Sequence, residues 1–382
     1  MGAALPESAA TSRRDRRRAG RSGARAGSRR VFLRPVAVFA CWRLAQLALS
    51  WWFDAHPGDA AFKWDGQAYR RILESGYRVG SGEKPTVGAF FPGLAWITRA
   101  VEVVVPSHRT AELLTVNVLA LLAFVAMFGV IRAWRDDRTA TGAIVLLALF
   151  PSSLFLSAFY SEGLFIALSA GAFWADRRGK TWLAVVLAFG AAATRTIGIA
   201  VAGALVLGHV WREHRVRLLT VAYACAGALG LGAVMLQQQQ QLGDALGFVH
   251  AEKYWGRSLE PPWVSIREGL GALRDGDPRL VKVLDLVSVA LVVGCVLYVL
   301  CRRRGAWPVE SWLLPVVAIG VPLCGPFLAS INRYALSAWP IFGFAAEILD
   351  RGPRWVRWVW YPASAAAAIF YAKYWAQGRF VG

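Results

Sequence analysis

The sequence predicts an all-α, polytopic membrane protein, and three observations carry that expectation. The 382 residues are 56% hydrophobic and only 18% charged, too apolar for a water-soluble globular chain. Apolar runs close to the ~20 residues needed to cross a bilayer recur along the chain. The net charge of +19 gathers in an N-terminal arm and in short loops between those runs. That is the charge pattern of membrane topology rather than of a nucleic-acid footprint, so no nucleic-acid partner is expected.

Taken in order, residues 1–30 carry Arg13, Arg14, Arg16, Arg17, Arg18, Arg21, Arg25, Arg29 and Arg30 among Gly, Ala and Ser. They offer too little apolar surface to offset chain entropy and read as a disordered cytoplasmic arm ahead of a single membrane domain, 31–382. The run from Val31 to Trp52 is too long for a signal-peptide core and lacks a small-residue cleavage site, so it reads as the first membrane helix. Further spans are expected at 110–132, 140–158, 161–176, 217–237, 282–301, 309–330, 334–349 and 355–375. The loops "RAWRDDR", "DRRGK", "WREHRVR", "CRRRG" and "DRGPRWVR" are the basic ones and are placed in the cytoplasm.

One segment resists this scheme. Residues 181–210 lie between two basic loops and must cross an even number of times, although their length suits one helix. They are split into a short pair turning near "TRTIG" at 194–198, where Arg195 and Gly198 interrupt the apolar run. Each half of about 14 residues spans roughly 21 Å, too short to face lipid alone, so the pair is expected to pack inside protein. The count becomes ten or eleven membrane segments, short re-entrant ones included. The extracytoplasmic face then collects 53–109, the turn at 159–163, Arg195, the loop 238–281 and 331–334. A single helix over 181–210 would reverse everything after it and put two basic loops outside. The five cysteines, Cys41, Cys225, Cys295, Cys301 and Cys324, lie in or at the ends of apolar runs without metal-ligand spacing.

The stretch "FKWDGQAYRRILESGY" (62–77) follows the first span. From Asp65, the positions of Tyr69, Ile72, Leu73 and Gly76 recur at helical spacing with Arg70, Arg71 and Glu74 opposite, which predicts a short interfacial helix. Trp64 and Tyr69 suit the same depth. Asp65 at its start reads either as an N-cap or as a general base facing a substrate at the membrane surface.

Several motifs stand together: "KWDGQAYRRILESGY", then "GAFFPGLAWITRAVE" (88–102), then the run from "LFPSSLFLSAFYSEG" to "TRTIG" (149–198). In Trp-Asp, Phe-Phe-Pro, Phe-Pro-Ser and Tyr-Ser-Glu, and in their order, the chain resembles the bacterial members of the GPI mannosyltransferase 2 (PIG-V) family. The resemblance is strong over 32–210 and weaker as far as "NRYALSAWPIF" (332–342). One departure is Thr196-Ile197, where relatives usually show a proline after Thr-Arg.

The resemblance implies a GT-C glycosyltransferase helical bundle. It further implies transfer of a mannosyl unit from polyprenyl-phosphate mannose to a lipid or glycan acceptor on the outer face, with inversion and without a nucleotide sugar. The sequence has no soluble nucleotide-binding domain and no Gly-rich fingerprint after a strand. No metal and no cofactor are expected. A phosphate leaving group needs no general acid, so the chemistry asks for one base and for cations around the phosphate. Asp65 is assigned as the base.

Glu162, at the outer start of a helix, serves either the helix dipole or the substrate; it is taken as a sugar or acceptor ligand and, second to Asp65, as a base. Arg195 and Arg333 sit at outer turns flanked by apolar helices and are placed at the lipid phosphate, Arg333 with snorkelling as its alternative. Trp64, Tyr69 and Tyr160 complete the expected substrate-binding set. His250, Lys253, Trp255 and Arg257 form either a lid or the solvated face of an outer helix. "QQQQQ" (237–241) carries no chemistry and reads as a helix extension. The competing function is a transporter or flippase of a lipid-linked sugar, against which stand the lack of an internal repeat and the gathering of polar groups at one face.

Overall fold

The structure is a computed structural model that describes residues 31–53, 57–80, 82–275, 279–301 and 307–381. The Arg-rich arm, 1–30, and most of the loop "CRRRG" lie outside the described residues. No strand is present among them. The principal helices are α1 Leu33–Phe53, α2 Asp65–Ser75, α3 Gly93–Glu102, α4 His108–Trp134, α5 Asp137–Leu149, α6 Glu162–Arg177, α7 Thr181–Ala192, α8 Ile199–Glu213, α9 Leu218–Leu242, α10 Pro262–Asp275, α11 Arg279–Cys301, α12 Val309–Leu323, α13 Ile331–Ser337, α14 Pro340–Arg351 and α15 Arg354–Ala376.

Among the described residues four helices are long and apolar enough to cross a membrane unaided: α1, α4, α9 and α11. They differ in surroundings. Two-thirds of the apolar window of α4 is buried inside protein, against 6% for α1. Helix α4 is thus the spine of the bundle, with α6, α5 and α1 packed on it, while α1 leaves most of its apolar surface to lipid. The ends follow local chemistry. Ser107 caps α4 through the Thr110 N–H, and Asp136 caps α5 through the Thr139 N–H at 2.8 Å. Three expected spans are interrupted at prolines. Pro151, lacking an N–H, ends the run from 140 and opens a 3-10 turn, Pro151–Leu156; α12 stops at Leu323 beside Pro322; and Pro340 starts α14 afresh after the short α13.

The contested segment is split. Helix α7 ends at Ala192, a 3-10 turn covers Thr196–Gly198, and α8 begins at Ile199. The turn is tightly held: a Cβ on Gly198 would lie 1.9 Å from the Ala191 carbonyl oxygen, and the Gly93 N–H at the start of α3 bonds the Ala193 carbonyl at 3.1 Å. The far ends of α6 and α8 meet through ion pairs. Arg212 reaches Asp176 at 2.7 Å, and Arg177 and Arg212 share Glu310. The loops 178–180 and 214–217 therefore sit at one end of the bundle and the turn at 194–198 at the other, as the loop charges predicted.

The glutamine run has a function in the fold that its low complexity hid. At the end of α9 the buried Gln238 donates to the Gly88 carbonyl at 2.8 Å and accepts from the Phe248 N–H at 2.9 Å. Gln241 accepts from the Tyr77 N–H at 2.8 Å and Gln237 from the Trp96 indole at 2.9 Å. Three of the five side chains thus fasten α9 to the segments 77–96 and 247–248.

Candidate active site

Helix α2 is amphipathic. Tyr69, Ile72 and Leu73 are buried against Leu94, Ala95, Phe159 and Leu164, so the helix lies across the bundle's end with its polar face outward. Its N-cap is Trp64, whose backbone is left-handed at φ 53°, and no side chain caps it. A bulky residue there is strained by about 1–3 kcal/mol and persists only where the surroundings impose it. They do so from both sides. The Asp65 N–H donates to the Tyr160 hydroxyl at 3.0 Å, and that hydroxyl donates to the Lys63 carbonyl at 3.1 Å. The Lys63 ammonium donates to the carbonyls of Trp375 and Ala376 at the end of α15, and the Trp375 indole to the Ala60 carbonyl at 2.8 Å.

The N-cap reading of Asp65 is therefore corrected. With Tyr160 satisfying its own N–H, Asp65 extends its carboxylate to Arg333, whose Nη1 donates to Oδ2 at 2.6 Å. Arg333 also donates from Nε to Glu162 Oε1 at 2.9 Å, and its guanidinium lies over the rings of Tyr160 and Phe155 at 4.7 and 5.0 Å. Arg195, from the turn between α7 and α8, donates from Nη1 to the same Glu162 oxygen at 2.7 Å and to the Ser161 hydroxyl at 3.2 Å. Ser161 in turn shares a 2.7 Å hydrogen bond with the Tyr69 hydroxyl. Burial pushes the Tyr69 phenol up to about 12, so it stays protonated at physiological pH.

Asp65, Tyr69, Tyr160, Glu162, Arg195 and Arg333, drawn from four separate places in the chain, thus form one connected cluster. Trp64 stands at its rim, exposed, with its ring edge-to-face on Phe380 at 5.3 Å. The two carboxylates differ. Glu162 is fully buried between two guanidinia, whereas the Asp65 side chain keeps 18% of its surface accessible. Among the described residues Arg195 donates hydrogen bonds only from Nη1, leaving Nε and Nη2 as donors. Arg257, from the 238–281 segment, donates to the Tyr334 hydroxyl at 3.1 Å, beside Arg333. Among the described residues no group of three His, Cys, Asp or Glu side chains is arranged to hold a metal.

Sequence reasoning missed the residues that hold Asn332, the neighbour of Arg333. Asn332 donates from Nδ2 to Asp285 and accepts from Ser288 Oγ at 2.7 Å, its carbonyl accepts from Ser152 at 2.9 Å, and its N–H donates to Asp285 at 3.3 Å. These bonds fix the start of α13 and hence the direction of Arg333. A signal was available: Asp285 is a lone acid inside an otherwise apolar run.

The all-helical membrane bundle with its polar cluster at one end has a GT-C-like fold. The chain is similar in fold to the apo crystal structure of the Archaeoglobus fulgidus oligosaccharyltransferase, with a TM-score of 0.50 and 14% identity over 91% of this chain and 56% of that one. The family described as Mannosyltransferase (PIG-V) matches residues 62–254, half of the chain, and the chain belongs to that family. It is also 31% identical over 154 residues to GPI alpha-1,6-mannosyltransferase 2 of Rattus norvegicus. That match covers 37% of this chain and 30% of the relative's length. The matched region contains Asp65, Tyr69, Tyr160, Glu162 and Arg195; Arg333 lies beyond it.

Proposed function

We propose that this multi-pass membrane protein transfers a mannosyl unit from polyprenyl-phosphate mannose to an acceptor at the extracytoplasmic face, with Asp65 as general base. The acceptor oxygen attacks the anomeric carbon and its proton passes to Asp65. The bond to the phosphate oxygen breaks with its electron pair, and polyprenyl phosphate departs. A single displacement inverts the anomeric centre. Arg195 and Arg333 receive the charge developing on the leaving phosphate. Glu162 holds the two guanidinia side by side against their repulsion, and its Oε2, buried without a hydrogen-bond partner among the described residues, suits a hydroxyl of the bound sugar.

The observation that carries this reading is the division of labour between the acids: both arginines converge on the buried Glu162, and Asp65 alone keeps a carboxylate edge accessible. The family membership supports mannose. The basic loops at the opposite end support an extracytoplasmic site with a cytoplasmic N-terminus. The test is incubation of membranes holding the chain with labelled polyprenyl-phosphate mannose and analysis of the product. Label that stays on the donor in every acceptor fraction, lipid, glycan and protein, would overturn the assignment.

A further inference from the structure

The end of the bundle opposite the Asp65 cluster holds a cavity of about 530 Å³ between α1, α5, α14 and α15. Arg34, Asp137, Arg138, Thr141, Asp350 and Tyr361 give it a polar lining, and Gly142, Val145 and Ala346 its apolar part. Fourteen residue steps of α15 separate Tyr361 from Trp375, whose indole holds Ala60 near the cluster, which is about 21 Å along the helix.

The charges around the cavity do not balance. Asp137 pairs with Arg132, and Asp350 is shared by Arg138 at 2.9 Å and Arg357 at 3.4 Å. Each carboxylate thus has a counter-charge within the chain. Arg34 has none: its one hydrogen bond among the described residues goes to the Thr141 hydroxyl at 3.4 Å, and that hydroxyl donates to the Asp137 carbonyl at 2.7 Å. The Tyr361 hydroxyl is likewise without a hydrogen-bond partner among the described residues. Four guanidinia against two carboxylates leave an excess of positive charge. A guanidinium with free N–H groups, a second one beside it and a phenol match an anionic phosphate rather than a cation or a neutral ring.

The cavity borders lipid-facing surface. Only 6% of the apolar window of α1 is buried, and Val36 on α1 and Val359 on α15, each two residues from a polar lining group, are exposed. A phosphate held between these helices would lay its acyl chains over their apolar faces, as basic pockets between membrane helices do with anionic lipids.

We propose that this cavity binds the phosphate of an anionic phospholipid in the leaflet away from the Asp65 cluster, with Arg34 as its principal cation, and that the bound lipid fastens α1 to the bundle. The proposal stands on the cavity and not on the transferase reading. The test uses the full chain, delipidated in a non-ionic detergent, with three probes compared by native mass spectrometry and by thermal melts. Dioctanoyl phosphatidylglycerol carries chains and net charge, dioctanoyl phosphatidylcholine the chains without net charge, and glycerol 1-phosphate the phosphate without chains. The first should bind at least about 10-fold more tightly than either other and should raise the melting temperature. Arg34→Ala should weaken its binding by about 10-fold and remove most of that rise. Arg78→Ala, which deletes an exposed guanidinium at the other end of the bundle, should bind it as the parent does. Equal binding of the two lipids, glycerol phosphate binding as tightly as phosphatidylglycerol, parent-like binding by Arg34→Ala, or an equal loss in Arg78→Ala would each overturn the proposal. Every arm reads binding alone, so the outcome is independent of whether the chain transfers mannose.

Discussion

Arg333 and Asp65, 268 residues apart in the chain, meet in a 2.6 Å ion pair that ties the start of α13 to the start of α2. The second carboxylate on Arg333, Glu162, keeps the guanidinium in place when Asp65 is changed. Asp65→Asn is thus a clean probe of the base. The helix cap does not depend on its side chain, so thermal unfolding should stay near the parent, while the transfer rate should fall by at least about 10²-fold. Near-normal turnover in a folded sample would move the base away from Asp65.

Glu162→Gln should behave differently. It leaves two buried guanidinia facing each other without their shared counter-charge, and removing one partner of a buried pair is worth about 3–5 kcal/mol. The variant should unfold at distinctly lower temperature than Asp65→Asn, as scanning calorimetry in detergent would show. Equal stability of the two variants would contradict the central place given to Glu162.

Arg195→Ala and Arg333→Ala should weaken donor use more than acceptor use. Loss of one charge-assisted contact is worth about 1.5–3 kcal/mol, or about 10-fold to 150-fold in the donor saturation curve. Parent-like donor curves in both variants would displace the phosphate from this cluster.

The turn between α7 and α8 gives a test of topology and one of packing. Single cysteines at positions 178 and 213, in a variant without native cysteines, should be labelled from the same side of the membrane; labelling from opposite sides would refute the paired crossing. Gly198→Ala would press a methyl group into the Ala191 carbonyl, 1.9 Å away. Overpacking of this kind is worth about 1–3 kcal/mol, and with backbone as the obstacle the upper end is expected in a thermal melt.

Within the glutamine run the positions should separate. Gln238→Ala breaks two buried hydrogen bonds and should destabilise by about 1–3 kcal/mol, whereas Gln239→Ala and Gln240→Ala, exposed on α9, should change thermal stability little. Five equal effects would refute the stitching of α9 to the segments 77–96 and 247–248.

Loop charge and the ~20-residue span length made the bundle legible, including the break at Arg195, because both act along the chain and survive in one dimension. The four charged groups of the cluster were legible for a related reason: an ionisable residue flanked by apolar helices has few places to go. The rest was written in contacts between distant segments. Nothing local distinguishes Gln238 from Gln239, or shows that Tyr160 would satisfy the Asp65 N–H and so end its reading as a cap. The proline interruptions at 151 and 340 were in plain view, but apolar run length outweighed them.

The anchoring of Lys63 has a bearing on the order of synthesis. Its ammonium is held by carbonyls 312 and 313 residues downstream, and the indole of Trp375 holds Ala60 across 315. The segment that carries Asp65 leaves the ribosome long before these partners exist. A nascent chain can insert most of its helices while this corner is still loose. The strained backbone at Trp64 is then locked only when α15 folds back onto the segment that carries Asp65, so this corner matures after the other members of the cluster have been synthesised.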